Sequence, residues 1–202
     1  ICKLFYPSEI LWREIFPVNA VCNLALAVDR GIDNSRYDSH TTSFTYDATS
    51  VRPQDEKETY VVILGETTRA DNWQIFGYNR PTTPELVANS SVIGFGKAMS
   101  QSNTTHKIVP MLLSPLDAEN YHDMIYDMKS FITAFKDAGF KTYYFSNQGR
   151  NGAIIDGFGR EADEVTFLRD TTPYALDGEL LPLLKKAVTD ESPKKLIVLH
   201  TY

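Results

Sequence analysis

The sequence has few cysteines, no excess of basic residues and no long apolar run, and each absence excludes a class of protein. Only Cys2 and Cys22 occur among 202 residues, so there is neither a disulfide framework nor zinc-finger spacing, and the sequence leaves their pairing open. The formal net charge of -6 argues against a nucleic-acid partner, because phosphate-binding surfaces are basic. No apolar run reaches the roughly 20 residues that a membrane-spanning helix needs. What remains is a globular chain with 43% hydrophobic residues, enough to bury a sizeable core.

The segment 1–57 differs in composition from the rest of the chain. Up to about Asp29 it is rich in large apolar residues interrupted by prolines, which predicts short amphipathic helices. Such helices either pack on a domain or lie at a membrane surface. Residues 30–57 are polar and predict a linker. The core domain is therefore expected to span residues 58–202.

From Glu58 onward, patterns typical of strands and helices alternate. Strands are predicted at 60–64, 92–99, 141–145 and 196–199, and helices within 82–87, 103–113, 129–138 and 177–188. Gly139 is a helix-stop signal directly before a predicted strand, which is the repeating unit of a parallel sheet. Alternation at these lengths implies right-handed crossovers. The sequence therefore predicts an α/β fold with a largely parallel central sheet flanked by helices.

An acidic residue follows the first predicted strand. The run Val61 to Leu64 leads into Gly65 and Glu66, with two threonines and an arginine behind them. Parallel sheets carry their chemistry at the carboxyl ends of their strands. Because a carboxylate there is a suitable metal ligand, Glu66 is a candidate for metal binding.

A second candidate lies in a cluster of hydroxyl groups before the apolar stretch 108–113. A threonine there would stand at a helix N-terminus, where backbone N–H groups and the helix dipole favour an anion such as phosphate. Such a hydroxyl is well placed to attack phosphorus. The alternative is that Asn103 or Thr104 simply caps the helix.

Four ordered segments extend these two observations. They are Gly65–Asn72, Phe76–Pro84, Thr105 ahead of Val109-Pro110-Met111, and Leu199-His200-Thr201. Together they resemble the phosphoethanolamine transferases of the alkaline phosphatase and sulfatase superfamily, which include the mobile colistin-resistance enzymes. The resemblance covers residues 58–202, and the segment 1–57 is similar to the juxtamembrane stretch that follows the transmembrane helices in that family. The strand end Phe145–Gln148 is similar to a substrate-contacting strand end of the heptose- and glucan-modifying members.

The resemblance implies an alkaline phosphatase-like sandwich, of which this chain would be the N-terminal part. It implies a catalytic domain in the bacterial periplasm, held at the inner membrane through a segment preceding the chain. The implied activity is transfer of phosphoethanolamine from phosphatidylethanolamine to lipid A or another surface glycan through a phospho-threonine intermediate. Thr105 would be the nucleophile, and Thr105 and Glu66 would be zinc ligands, since zinc lowers the pKa of a bound hydroxyl. The remaining ligands of the family's zinc site are expected beyond Tyr202.

Three further residues are candidates for substrate binding. Asn147 stands just past the end of a predicted strand and can donate to a phosphate oxygen without adding charge, although Asn147-Gln148-Gly149 is also typical of a turn. His106 adjoins the proposed nucleophile, and an exposed helical histidine is the alternative there. His200 ends the last predicted strand at the same edge as Glu66.

Other functions remain open on the same sequence. Phosphoglycerol transferases also use threonine on this fold. A sulfatase needs a Cys/Ser-x-Pro-x-Arg motif, which residues 105–108 do not supply. A rival of another class is a catalytically silent domain that binds a surface glycan or a partner. Residues after Tyr202 would separate it from an enzyme, since they would contain or lack the missing ligands.

Overall fold

The computed structural model describes residues 16–96, 98–150 and 153–202. Its sheet contains four parallel strands, β1 (Glu58–Leu64), β2 (Lys141–Ser146), β3 (Glu164–Phe167) and β4 (Lys194–His200). The strand order is β1-β4-β2-β3, so β4 lies between β1 and β2 with every one of its residues buried. The predicted α/β fold with a parallel sheet is confirmed.

Helices flank this sheet. The α-helices of the described residues are α1 (Val18–His40), α2 (Pro84–Ala88), α3 (Thr105–Leu113), α4 (Tyr121–Met124), α5 (Phe131–Asp137), α6 (Ile154–Arg160) and α7 (Leu180–Thr189). Because side chains alternate across a strand, Tyr144 and Val198 face the core cluster formed with α3, α5 and α6. Tyr143 and Ile197 face the opposite cluster, which is formed with α7.

The register of the strands brings three strand ends together. Leu64 of β1 and Ser146 of β2 both lie opposite His200 of β4. Beyond the strands, the Thr201 N–H donates to the Leu64 carbonyl at 3.0 Å, and the Asn147 N–H donates to the His200 carbonyl at 2.7 Å. The residues that follow β1, β2 and β4 therefore emerge at one edge of the sheet.

The prediction of a strand at 92–99 is wrong. Residues 92–96 and 98–99 form neither strand nor helix, and the side chains of Ile93, Phe95 and Met99 are 77%, 76% and 90% exposed. Two glycines weaken the strand tendency of this segment. No strand of the described sheet pairs with it, so its backbone groups have no ladder to join.

Helix α1 continues through part of the stretch that was predicted to be a linker. Its last turns are held by Tyr37, which is buried, packs its ring 5.8 Å from that of Phe158, and donates its hydroxyl hydrogen to Glu161. Tertiary packing therefore overrides the polar composition that suggested a linker. Residues 41–57 contain no helix or strand.

The amino-terminal predictions are only partly covered by the described residues. The helices expected within residues 1–15, and Cys2, lie outside them. Cys22, on α1, is buried and takes part in a disulfide. Within the described ranges, no helix is both long enough and apolar enough to cross a bilayer.

Candidate active site

The acid that follows β1 and the first residue of α3 meet at the edge of the sheet. Thr105 Oγ1 donates to Glu66 Oε2 at 2.9 Å, although the two residues are 39 positions apart in sequence. Both side chains are half-buried. The structure thus places side by side the two residues predicted to be the nucleophile and a metal ligand.

The backbone on both sides of Glu66 is held by threonine hydroxyl groups. The Glu66 N–H donates to Thr201 Oγ1 at 3.2 Å, and the Thr68 hydroxyl donates to the Glu66 carbonyl at 2.7 Å. Thr67, between them, has a φ of 50°, which a β-branched residue rarely adopts. Such strain costs on the order of 1–3 kcal/mol and persists where the surroundings fix it, commonly at functional sites.

Helix α3 presents Thr105 at its N-terminus. Thr104 occupies the N-cap position with an extended backbone, but its side chain makes no capping bond, and its hydroxyl oxygen is buried without a partner among the described residues. The sequence left open whether hydroxyls here cap the helix or react; the structure gives the cap position to Thr104 and turns Thr105 toward Glu66. The partial positive charge of the helix terminus favours an anion beside Thr105.

Pro110 in α3 leaves one backbone carbonyl of the helix without its usual donor, and a side chain of another helix donates to it instead. Proline has no N–H, so the carbonyl of His106, four residues earlier, loses its usual helical donor. The hydroxyl of Tyr121, on α4, donates to that carbonyl at 2.9 Å. The first turn of α3 is therefore tied to α4 next to the proposed nucleophile. The sequence analysis did not identify Tyr121, because its role depends on a contact between two helices.

His200 is buried beneath Glu66. Its Nε2 lies 3.4 Å from Glu66 Oε1, and its Nδ1 lies 3.1 Å from the hydroxyl of Tyr144. Burial lowers the pKa of the His200 imidazole, and the nearby Glu66 opposes that shift. Burial also raises the pKa of Tyr144, so its hydroxyl keeps its proton. Tyr144 was not among the predicted site residues; the signal available was its place two residues before the end of β2.

The other two predicted substrate residues lie in different surroundings. His106 is exposed and lines a cleft of about 410 Å³ together with Glu66 and Thr105. Asn147 is buried, and its amide nitrogen donates to the Ala175 carbonyl at 3.1 Å and to Asp177 Oδ1 at 2.9 Å. The structure therefore brings His106 to the proposed nucleophile and directs the Asn147 amide toward the loop 175–177.

A second cleft opens on the other side of Thr105. It measures about 710 Å³ and is lined by the turn 65–69, the segment 98–102 and the α3 side chains of Ile108, Met111 and Leu112. Glu66, Thr67 and Thr105 line both clefts. Thr105 thus stands between two clefts.

The donor atoms at this edge suit zinc but form only part of a site. A carboxylate and a hydroxyl oxygen 2.9 Å apart match zinc chemistry. Among the described residues, no group of three or more His, Cys, Asp and Glu side chains could hold a metal ion. Glu66 and Thr105 therefore offer two oxygen atoms that could bind a metal ion at this edge.

Comparisons with known proteins identify the family of this chain. A family model described as Sulfatase matches residues 58–202. The putative transferase YhbX of Escherichia coli (strain K12) is 35% identical over 148 residues, 71% of this chain and 26% of the relative. The Kdo(2)-lipid A phosphoethanolamine 7''-transferase of Salmonella typhimurium is 32% identical over 180 residues, 86% of this chain and 31% of the relative. The chain thus spans about a quarter to a third of these relatives' length.

A solved structure supports the predicted fold class. The zinc complex of the C-terminal periplasmic domain of EptC from Escherichia coli matches with a TM-score of 0.66 and 26% identity, covering 78% of this chain and 47% of that one. EptC of Escherichia coli is named a phosphoethanolamine transferase. Because the family match runs from β1 to the end of the chain and includes both Glu66 and Thr105, the chain belongs to the sulfatase family.

Proposed function

We propose that this chain carries part of the catalytic domain of a zinc-dependent enzyme that transfers phosphoethanolamine from phosphatidylethanolamine to lipid A or another surface glycan. The observation that carries the proposal is the Thr105 hydroxyl at a helix N-terminus, 2.9 Å from the Glu66 carboxylate. The names of the relatives and the zinc complex of EptC support it. A hydroxyl so placed can react with a phosphate ester that the helix terminus holds.

In the proposed reaction, the Thr105 oxygen attacks the phosphorus of the donor. A phosphorus–oxygen bond to Thr105 forms while the bond to diacylglycerol breaks; the Thr105 hydroxyl gives up its proton, and diacylglycerol takes up a proton as it leaves as an alcohol. An oxygen of the acceptor then attacks the phosphorus of the phospho-threonine, the bond to Thr105 breaks, and the Thr105 oxygen takes up a proton again. Splitting the transfer into two displacements lets donor and acceptor use the same centre in turn.

Glu66 and Thr105 would be the zinc ligands that this chain supplies. Bound zinc would lower the pKa of the hydroxyl and neutralise charge on the phosphoryl oxygens. Glu66 Oε2, which already accepts the Thr105 hydrogen, orients that hydroxyl. His106, exposed in the smaller cleft, is the residue that we assign to substrate phosphate. The side chains of Asn147 and His200 are engaged in contacts within the protein, so we do not assign them to substrate contact.

We further propose that the domain lies in the bacterial periplasm and meets the inner membrane through a preceding segment. The disulfide at Cys22 is consistent with an oxidising compartment. Helix α1 exposes the apolar side chains of Val21, Leu24 and Val28, a composition that suits contact with a bilayer or with a membrane-embedded part.

The test compares two neighbouring threonines in the full-length protein. Thr105→Ala is expected to lower transfer from phosphatidylethanolamine to lipid A by more than about 1,000-fold, because the covalent route is closed. Thr104→Ala removes an adjacent hydroxyl that has no hydrogen-bond partner among the described residues, and is expected to keep activity within several-fold of wild type. Full activity in Thr105→Ala would contradict the proposal.

The rival functions are separated by assaying the wild type on two donors. Transfer from phosphatidylglycerol in place of phosphatidylethanolamine would identify a phosphoglycerol transferase, and a wild type inactive on both donors would favour a silent binding domain.

A further inference from the structure

We infer that His200 is a positioning residue for Glu66, and that Tyr144 fixes the imidazole ring of His200 in the tautomer that does so. The inference rests on the proposed zinc-dependent function. It assigns to His200, which lies at the floor of the smaller cleft, a role through Glu66 instead of the predicted contact with substrate.

The sheet places the two side chains on one face. Tyr144 pairs with Val198 and Ser146 pairs with His200, so Tyr144 and His200 are diagonal neighbours with side chains on the same side. The Tyr144 hydroxyl reaches His200 Nδ1 at 3.1 Å. Gly159 of α6 allows this approach, since a Cβ at that position would stand 2.7 Å from the Tyr144 ring.

Hydrogen-bond chemistry then selects the tautomer. A carboxylate only accepts hydrogen bonds, so the Nε2 that faces Glu66 Oε1 at 3.4 Å must carry a hydrogen in order to donate to it. Nδ1 is then free to accept, and the hydroxyl of Tyr144 supplies the hydrogen. With the other tautomer, the Nε2 lone pair would face the carboxylate. The Tyr144 hydroxyl therefore donates to His200 Nδ1, and His200 Nε2 donates to Glu66 Oε1; this is the order of donors along the chain of hydrogen bonds.

This order of hydrogen bonds sets the orientation of the Glu66 carboxylate. Because His200 Nε2 donates to Glu66 Oε1, Glu66 Oε2 stays directed toward Thr105. His200 is only 1% exposed, and both of its ring nitrogens have partners within the protein. Residues that orient a metal ligand in this way are typically worth about 10- to 100-fold in metal affinity or activity.

The test measures zinc affinity, by competition with a coloured chelator, together with kcat and KM in the full-length protein. His200→Phe fills the same space without a donor and is expected to weaken zinc binding about 10- to 100-fold and to lower kcat with KM unchanged. His200→Gln places an amide N–H near the position of Nε2 and is expected to recover most of the loss. Tyr144→Phe is expected to weaken zinc binding and to lower kcat as His200→Phe does, but by smaller factors. Tyr143→Phe, which removes the neighbouring hydroxyl from the opposite face of the sheet, is the matched control and should resemble wild type.

Several results would overturn the inference. Unchanged zinc affinity and kcat in His200→Phe would do so while leaving the proposed function intact, and a raised KM with unchanged zinc affinity would show a substrate contact instead. If His200→Phe does not fold, nitrogen NMR of the wild type decides, because a hydrogen on Nδ1 in place of Nε2 contradicts the proposed order of donors. Transfer by a wild-type protein that binds no zinc would remove the proposed function and this inference together.

Discussion

Glu66 has two carboxylate oxygens, and each has a different neighbour. Oε2 accepts the Thr105 hydrogen, and Oε1 faces His200. The backbone of Glu66 is held by Thr201 and Thr68, and the next residue has a positive φ. The position of this one carboxylate is thus set by β4, by α3 and by the residues that directly follow β1 and β4. Its charge is what the proposed zinc site requires.

Removing the negative charge of Glu66 tests whether this residue is a zinc ligand. Glu66→Gln keeps the size of the side chain but removes the negative charge, so we expect loss of bound zinc and a fall in transfer of at least about 100-fold. Elemental analysis of the purified full-length protein measures the zinc. Glu85→Gln, an exposed acid in the first turn of α2, makes the same change in net charge and should keep its zinc. An unchanged zinc content in Glu66→Gln would show that Glu66 is not a ligand.

Local sequence patterns singled out Glu66, which follows a buried strand, and a threonine in the hydroxyl cluster before an apolar helix. The family resemblance then pointed to Thr105 within that cluster. Neither reached Tyr144, Thr201 or Tyr121 as supporting residues. Tyr144 and Thr201 act through the register of strands that are far apart in sequence, and Tyr121 acts through a carbonyl that Pro110 leaves without a donor. Such roles become visible only when the elements are placed in space.

Among the elements, helix α3 depends on an outside donor at its first turn. Tyr121→Phe would leave the His106 carbonyl without the hydrogen bond that replaces the one lost at Pro110. We expect a loss of about 1 kcal/mol in the free energy of unfolding, together with reduced transfer, since the same turn carries Thr105. Urea unfolding measures the first effect. Tyr174→Phe, at a side chain that is 92% exposed, is the control and should have little effect on either quantity. Equal stability of Tyr121→Phe and wild type would mean that this bond contributes nothing.

Helix α6 shows why some elements escape sequence analysis. Gly157 and Gly159 within Ile154–Arg160 disfavour a helix by intrinsic propensity, yet most of this helix is buried against the sheet. Strand β3 has only four residues and was also not predicted. The predicted strand at 92–99 failed for the opposite reason, since its apolar pattern has no neighbouring strand in the described sheet.

The close contact at Gly159 can be tested directly. Alanine has the higher helix propensity, but its Cβ would stand 2.7 Å from the Tyr144 ring, so Gly159→Ala is expected to destabilise the protein by about 1–3 kcal/mol. Gly178→Ala is the matched substitution, because nothing lies within 4 Å of a Cβ there, and it should be neutral or slightly stabilising. Thermal unfolding of both variants measures the difference. Equal melting temperatures for the two variants would refute the steric argument.

At the scale of the whole molecule, one half-buried carboxylate ties α1 to the core. Glu161 accepts hydrogen bonds from the hydroxyl groups of Tyr37, Ser130 at 2.6 Å and Thr133 at 2.8 Å. These donors come from α1 and from the start of α5, while Glu161 directly follows α6. The amino-terminal helix is therefore fastened to the sheet domain by a group that can titrate.

Burial raises the pKa of Glu161 above its ordinary value of 4.5, even though its donors oppose the shift. The native state then holds this proton more tightly than the unfolded state does. Its contribution to stability is full below the unfolded pKa and is lost as pH rises through the folded pKa. Glutamine does not titrate, so we expect the free energy of unfolding of wild type to fall relative to that of Glu161→Gln as pH rises above about 4.5. Urea unfolding of both proteins over a pH series measures this, and a difference independent of pH would contradict it.

The central claim is that Thr105 carries the transferred group, and its most direct test is to trap that group. The full-length protein is incubated with phosphatidylethanolamine in the absence of an acceptor, digested and analysed by mass spectrometry. The account predicts phosphoethanolamine on the peptide that contains Thr105, located on that residue by fragmentation and absent from Thr105→Ala. Active transfer with no adduct, or with the adduct on another residue such as Thr104, would contradict it.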